Sequence, residues 1–415
     1  MSKKPLMLSA ATAALAVTMA FTGVAIAQSQ TPATAVSDDA VKIGVIVDMT
    51  GVYSGNGGKA VVVASQMAAE DFGGTVLGKP IEIVSADYQN KVDITSSTVR
   101  RWFDQDKVDM VLESTDSASA IAIQKLGAER KRITIAAGSA STALTNAECS
   151  PYGIHYVYDT YALATGTGRA VVEEGGKRWF FLTADYAFGH SLEKNTTDVV
   201  KAMGGTVVGG VRHPLNSADF ASYLLQAQSS GAEIVALANA GTDFSNALKQ
   251  AQEFGLTNSG QSIAAMLVFL SDLKALGPDV AKGVKFTTGF YWDYNDETRA
   301  FSERFFKRFG TMPTDIQAGA YSAVTTYLNA VKAVGTDDAD KVRAHLRTVT
   351  INDFFAKDGK IRDDGRMVHE MYLAEAKAPA EVKSPWDLAK VLRPIPGDDA
   401  YQPLERSTCP LVKKS

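Results

Sequence analysis

The segment Val41-Lys42-Ile43-Gly44-Val45-Ile46-Val47, ending at Asp48 and followed by Gly58–Asp71, decides the fold. A nearly unbroken run of Val and Ile reads as a strand buried on both faces. Val61, Val62, Ala64, Met67 and Ala68 then recur at helical spacing. The same alternation continues outward. Ile81–Val84 predicts a strand, Asp93–Phe103 a helix, Val108–Leu112 a strand, Ala118–Ala128 a helix and Ile133–Ala137 a strand. After Tyr158 it restarts, with helices over Ala162–Glu173, Gly189–Met203, Ala218–Gln228 and Phe244–Phe254. Strands over Arg178–Leu182, Thr206–Gly210, Ile234–Leu237 and Ile263–Leu267 come between them. Strands alternating with helices of this length imply parallel sheets covered on both faces, hence an α/β chain of two doubly wound lobes.

Lys285–Phe290 is a further strand, and Glu297–Phe309 and Asp315–Ala333 are long helices. They have too few strands after them to found a third domain, so they return to the first lobe. Residues 41–160 and 291–367 then form lobe 1, and 161–290 and 368–392 form lobe 2. Three crossings, near Tyr158–Ala162, Phe290–Trp292 and Met371–Ala374, make a hinged cleft that closes on a small ligand. The Pro-rich end, 393–415, is expected to run over the surface as a tail.

Composition agrees with an exported protein. Lys3 and Lys4 precede an apolar run, Leu6–Val24, and Ala25-Ile26-Ala27 supplies a small-x-small exit, so residues 1–27 read as a secretory signal peptide. An uncharged run of this length could also cross a bilayer. Its small residues and the polar Gln28–Ala40 stretch favour cleavage, and no cysteine near the exit could carry a lipid. The formal charge is −4 over 415 residues, which gives no basic patch for nucleic acid. Cys149 and Cys409 are the only cysteines, and in an oxidising compartment they are expected to pair and hold the tail.

Chemistry-bearing motifs are few. Gly55-Asn56-Gly57-Gly58-Lys59-Ala60 resembles a dinucleotide fingerprint. Its glycines begin seven residues after Asp48, however, and the next strand-ending acid, Asp87, is too distant. It reads as a Gly-rich loop entering a helix. No Gly-x-Ser-x-Gly elbow occurs, and the five histidines (155, 190, 213, 345 and 369) lack metal-ligand spacing. Neither catalysis, metal nor cofactor is expected. The loops beyond the strands' carboxyl ends are Met49–Gly58, Glu113–Ser119, Gly138–Thr142, Thr183–Phe188 and Asn239–Asp243. They are rich in Ser, Thr, Gly and aromatics and contain no Lys or Arg before the helices begin. Such loops can hold a carboxylate through hydroxyl and backbone N–H groups, and the same hydroxyls can equally cap helices.

At these residues the chain resembles the type I periplasmic solute-binding proteins, the leucine/isoleucine/valine-binding family of ABC transporters, over Val41–Lys377. The resemblance is carried by Thr50-Gly51-Val52-Tyr53, Gly138-Ser139-Ala140-Ser141, Asp185-Tyr186-Ala187-Phe188-Gly189 and Ala247-Leu248-Lys249-Gln250-Ala251. It implies that Ser114 or Thr115 and Gly138-Ser139 contact a ligand carboxylate and that Tyr53 and Phe188 form aromatic walls. Asp185 and Asn239 sit in the corresponding second-lobe loops. Amino-acid binders of the family hold the ammonium with an acid after the Ile263–Leu267 strand. Here that position falls near Met266, in a run without acids, with Asp243 or Asp272 left as the acids that could reach in. Met266 and Phe269, with Trp292 at the hinge, suit an apolar ring, as in the branch binding benzoate derivatives and phenylpropanoid acids. The resemblance thus implies a monomeric periplasmic protein that captures a small aromatic carboxylate and delivers it to an inner-membrane ABC permease. A branched-chain or other neutral amino acid is the alternative ligand, and a soluble sensor for a membrane receptor the alternative role.

Overall fold

The computed structural model describes Met1 and residues 36–256 and 260–413. The remainder of the expected leader lies outside the described residues. Six strands form the first sheet: β1 (Val41–Val47), β2 (Thr75–Val76), β3 (Lys79–Asp87), β4 (Met110–Glu113), β5 (Ile133–Ala136) and β6 (Gly153–His155). Their order is β2-β3-β1-β4-β5-β6, all pairs parallel except β2 with β3. The period of two along β1 explains the double winding. Ile43, Val45 and Val47 point into a core with Val61, Ala64, Ala323 and Val324, residues of helices Gly58–Asp71 and Asp315–Val334. Ile46 joins Val99, Trp102 and Ile123 on the opposite face. There a Cβ on Gly44 would lie 2.6 Å from the Trp102 ring, so the small residue lets the indole lie flat on the strand.

The second sheet is wholly parallel, with β7 (Arg178–Ala184), β8 (Thr206–His213), β9 (Ile234–Ala238) and β10 (Ser262–Ala265) in the order β10-β9-β7-β8. Leu182, Val235 and Leu237 pack on Leu224, Phe244 and Leu248. Phe181 and Ala236 face the other way, toward Leu163, Leu192 and Val200. The chain is therefore an α/β protein of two doubly wound lobes.

Later strands depart from the parallel pattern. After β11 (Lys285–Thr288) come a short hairpin, β12 (Lys360–Ile361) with β13 (Met367–Val368), and then β14 (Met371–Ala376) and β15 (Ala389–Ile395). β11, β14 and β15 form an antiparallel sheet, with β14 in the middle. Phe286, Ala374 and Ala389 join the second lobe's core. The end expected as surface tail from 393 begins as strand, because Pro394, which lacks an N–H, is tolerated on an edge strand such as β15.

The crossing segments meet in one place. A Cβ on Gly289 would lie 3.2 Å from His369 and 3.4 Å from Val157. Arg366, fully buried, donates to the Tyr158 carbonyl at 3.1 Å, and its guanidinium lies 4.4 Å from the ring centre of Tyr401. The Tyr401 hydroxyl donates to the Val157 carbonyl at 2.6 Å. The C-terminal segment also touches both lobes. Thr165 donates to the Ala400 carbonyl at 2.9 Å and Ser407 to the Thr145 carbonyl at 3.0 Å. Cys149 and Cys409 are bonded, with Cα atoms 5.7 Å apart, as expected.

Candidate ligand-binding cleft

Each parallel strand ends by handing the chain to a loop, and these loops converge between the lobes. Beyond β1, the Asp48 carboxylate accepts from the backbone N–H of Gly51 (2.6 Å) and of Tyr53 (2.9 Å), folding the segment into a tight turn. This turn presents Tyr53 and Asn56. The loops after β4 and β5 present Thr115 and Gly138, and a Cβ on Gly138 would fall 1.6 Å from the Ser114 carbonyl oxygen. Only glycine lets those two loops touch. From the second lobe come Tyr186 and Phe188 after β7, Ala240 after β9, and Leu267 and Phe269 after β10. With Tyr158 at the crossing, these residues line a narrow cavity between the lobes. Ligands of α/β folds are held beyond the carboxyl ends of strands, as in this arrangement.

The lobes are in contact around the cavity. The Tyr53 and Tyr186 hydroxyls lie 2.6 Å apart, Thr242 N–H donates to the Val52 carbonyl at 3.2 Å, and Asn195 donates to Thr142 at 3.3 Å. Gly241 has φ of +63°, and a Cβ there would lie 2.5 Å from the Val52 carbonyl, so a side chain would hold the lobes apart. Burial pushes the Tyr53 and Tyr186 phenols up, which keeps both neutral. None of the lining residues carries a formal charge.

Five of the residues named from sequence (Tyr53, Thr115, Gly138, Phe188 and Phe269) lie on the wall; the others do not. Ser114 is buried beside it, its hydroxyl without a hydrogen-bond partner among the described residues. Ser139 donates to the Glu113 carboxylate. Glu113 also accepts from Thr115 N–H and Asp116 N–H at 2.6 Å each and from the Tyr88 hydroxyl at 3.0 Å. An internal carboxyl group thus takes donors that the sequence offers to a ligand, and burial pushes its pKa up to about 7 against those hydrogen bonds. Asn239 is buried and within 3.1 Å of His213. Asp185 is exposed, 2.7 Å from His190. Met266 is wholly buried, its methyl 3.7 Å from where a Gly168 Cβ would stand, and Leu267 faces the cavity instead. Trp292 donates to the Trp386 carbonyl at 2.9 Å and borders a neighbouring recess. Asn56, Tyr158, Tyr186, Ala240 and Leu267 were not singled out from sequence as wall residues. For Tyr186 alone a signal existed, its place between Asp185 and Phe188.

Among the described residues, no group of three or more His, Cys, Asp or Glu side chains could hold a metal, and no helix is long and apolar enough to cross a membrane. The family model described as periplasmic binding protein matches residues 40–381. The chain belongs to that family. A periplasmic binding protein from Burkholderia mallei is similar in structure, with a TM-score of 0.89 and 51% identity over 90% of this chain and 100% of its own. A branched chain amino acid ABC transporter periplasmic ligand-binding protein from Burkholderia xenovorans LB400 has a TM-score of 0.80 and 40% identity, covering 89% of this chain and 99% of its own. The Leu/Ile/Val-binding protein homolog 6 of Brucella abortus is 30% identical over 194 residues, 45% of this chain and 49% of that protein. The chain thus spans about half the length of the curated relatives it matches.

Proposed function

We propose that this periplasmic binding protein is the capture subunit of an ABC importer. Its two lobes, 41–160 with 291–367 and 161–290 with 368–392, swing about the three crossings and close over a small carboxylate with an apolar, aromatic body. The closed monomer delivers this solute to an inner-membrane permease. One observation carries the ligand class: the cavity wall consists of aromatic rings, small residues and neutral hydroxyl and amide groups, with no charged side chain. A ring would be bordered by Phe188, Phe269 and the tyrosines, and the backbone around Gly138, with the buried Ser114 hydroxyl behind it, would supply donors for the carboxylate. An ammonium enclosed there without an anionic partner would cost several kcal/mol.

The second reading, a branched-chain amino acid, is favoured by Asp272, whose carboxyl lies 2.7 Å from the Asn56 amide, and by the kinship with the Burkholderia xenovorans protein. Thermal-shift and calorimetric titration of the ligand-stripped protein with benzoate, 4-hydroxybenzoate, leucine and isoleucine separates the two. A ligand at 100 times its dissociation constant adds about 2.7 kcal/mol of stability. Greater stabilisation by leucine than by either ring acid would sink the aromatic reading.

A further inference from the structure

The cavity wall carries no carboxylate, yet one stands directly behind it. Asp272 lies in the first turn of helix Leu270–Leu276 and is 5% exposed. One of its oxygens accepts from the Asn56 side-chain amide at 2.7 Å, and the other from Phe269 N–H at 2.9 Å. Asn56 and Phe269 both line the cavity, and Asp272 does not. Both donors are neutral, so the acid is hydrogen-bonded without being neutralised by a cation at either contact. Burial pushes its pKa up to about 7, with the Asn56 amide pulling the other way.

Asn56 is fastened on every side. Its carbonyl accepts from Gln317 Nε2 at 2.6 Å, which ties the backbone to the first lobe. Its amide nitrogen reaches across to the second lobe, donating also to the Ser271 hydroxyl at 3.0 Å. Its amide oxygen lies 3.0 Å from where a Cβ on Gly241 would stand. The side chain is therefore a neutral wedge between a ligand space and a buried acid, placed there only when the lobes meet.

We propose that Asn56 is a specificity-determining residue, whose amide screens the carboxyl group of Asp272 from the cavity and so withholds the anionic partner a ligand ammonium needs. The inference rests on this cavity being the ligand site. With the amide in place, a ligand meets a neutral dipole, and a carboxylate ring acid is spared a like charge. With the amide removed, Asp272 borders the vacated space, where it attracts an ammonium and repels an anion. Specificity then resides in a repulsive element that is covered rather than deleted.

The test is calorimetric titration of L-leucine and benzoate into the ligand-stripped protein and into Asn56→Ala, Asn56→Ser, Asp272→Asn and Asn56→Ala/Asp272→Asn. Folding of each is checked by its melting curve, with Asn56→Ser kept as the milder change in the loop. The leucine-to-benzoate affinity ratio is expected to rise at least tenfold in the Asn56 variants. It should stay within about threefold of wild type in Asp272→Asn, where the acid was already hidden, and return to that level in the double variant. This non-additivity is the signature of screening. An unchanged ratio in the folded Asn56 variants, leucine binding undetectable in all of them, or a rise that persists in the double variant would overturn the proposal. The ratio is read as a change from wild type, so a wild type that prefers leucine refutes the ring-acid reading alone.

Discussion

Replacing Glu113 by Gln should stabilise the protein in alkaline solution and leave it unchanged in acid. Glu113 is 1% exposed and accepts from two backbone N–H groups, and burial raises its pKa from 4.5 to about 7. A carboxyl whose folded-state pKa is raised favours folding while protonated. That contribution is complete below about pH 4.5 and is lost as pH rises through 7. At roughly 1.4 kcal/mol per pH unit the shift corresponds to about 3 kcal/mol. Gln reproduces the protonated form, since its oxygen can accept from Thr115 and Asp116 while its amide donates to the Ser139 hydroxyl. The assay is urea denaturation of ligand-stripped wild type and Glu113→Gln at pH 4.5 and pH 8. Asp109 and Asp272 are raised to about 7 as well, and His369 is lowered to about 4, which acts in the opposite sense. They are present in both proteins and largely cancel in the difference. The variant should exceed wild type by about 3 kcal/mol at pH 8 and match it at pH 4.5. Parallel pH profiles would show that Glu113 is already charged in the fold, its four donors outweighing burial.

Ser139→Ala removes a donor from the same carboxyl. It should cost about 1–2 kcal/mol of stability while changing ligand affinity less than about twofold; a large loss of affinity in calorimetry would restore Ser139 as a direct ligand contact. Tyr186→Phe deletes the bond to Tyr53 that exists only with the lobes together. Ligand affinity should fall about fivefold, worth about 1 kcal/mol, and an unaltered dissociation constant would dismiss this latch. Cys409→Ser should lower stability by up to about 5 kcal/mol, because a bridge spanning 260 residues of sequence restrains the unfolded chain strongly. A denaturation midpoint identical to wild type would mean that the tail is held by its hydrogen bonds alone.

Sequence reading succeeded where side chains repeat with a period. Val41–Val47 and Gly58–Asp71 match the observed strand and helix at both ends, because the Val/Ile run and the helical spacing each extend over a whole element. The Cys149–Cys409 pair was legible because no other pairing exists. Elements of two or three residues, such as β6 and the β12–β13 hairpin, are too short to show a period. The helix expected over Ala162–Glu173 contains a π turn at Ala164–Gly168, which alters the register without altering composition. The wall followed the same logic. The loops were identifiable from their place after strands, but which side chain faces inward was not. β10 ends at Ala265, so alternation no longer distinguishes Met266 from Leu267, and one turned into the core while the next turned to the cavity. Glu113 gave no signal of its hidden role, because its partners come from residue 88 as well as from its own loop and the next.

The bond between Cys149 and Cys409 closes a covalent ring that contains every segment passing between the lobes. A protease that cuts one peptide bond anywhere inside the ring therefore releases nothing: the nicked chain remains a single covalent molecule until the bridge is reduced. Both fragments keep a foot in the first lobe, one at the Thr142–Thr145 turn just before Cys149 and the other at Ser407, where its hydroxyl meets the Thr145 carbonyl. A surface loop within the ring can therefore be severed without separating the two walls of the cleft.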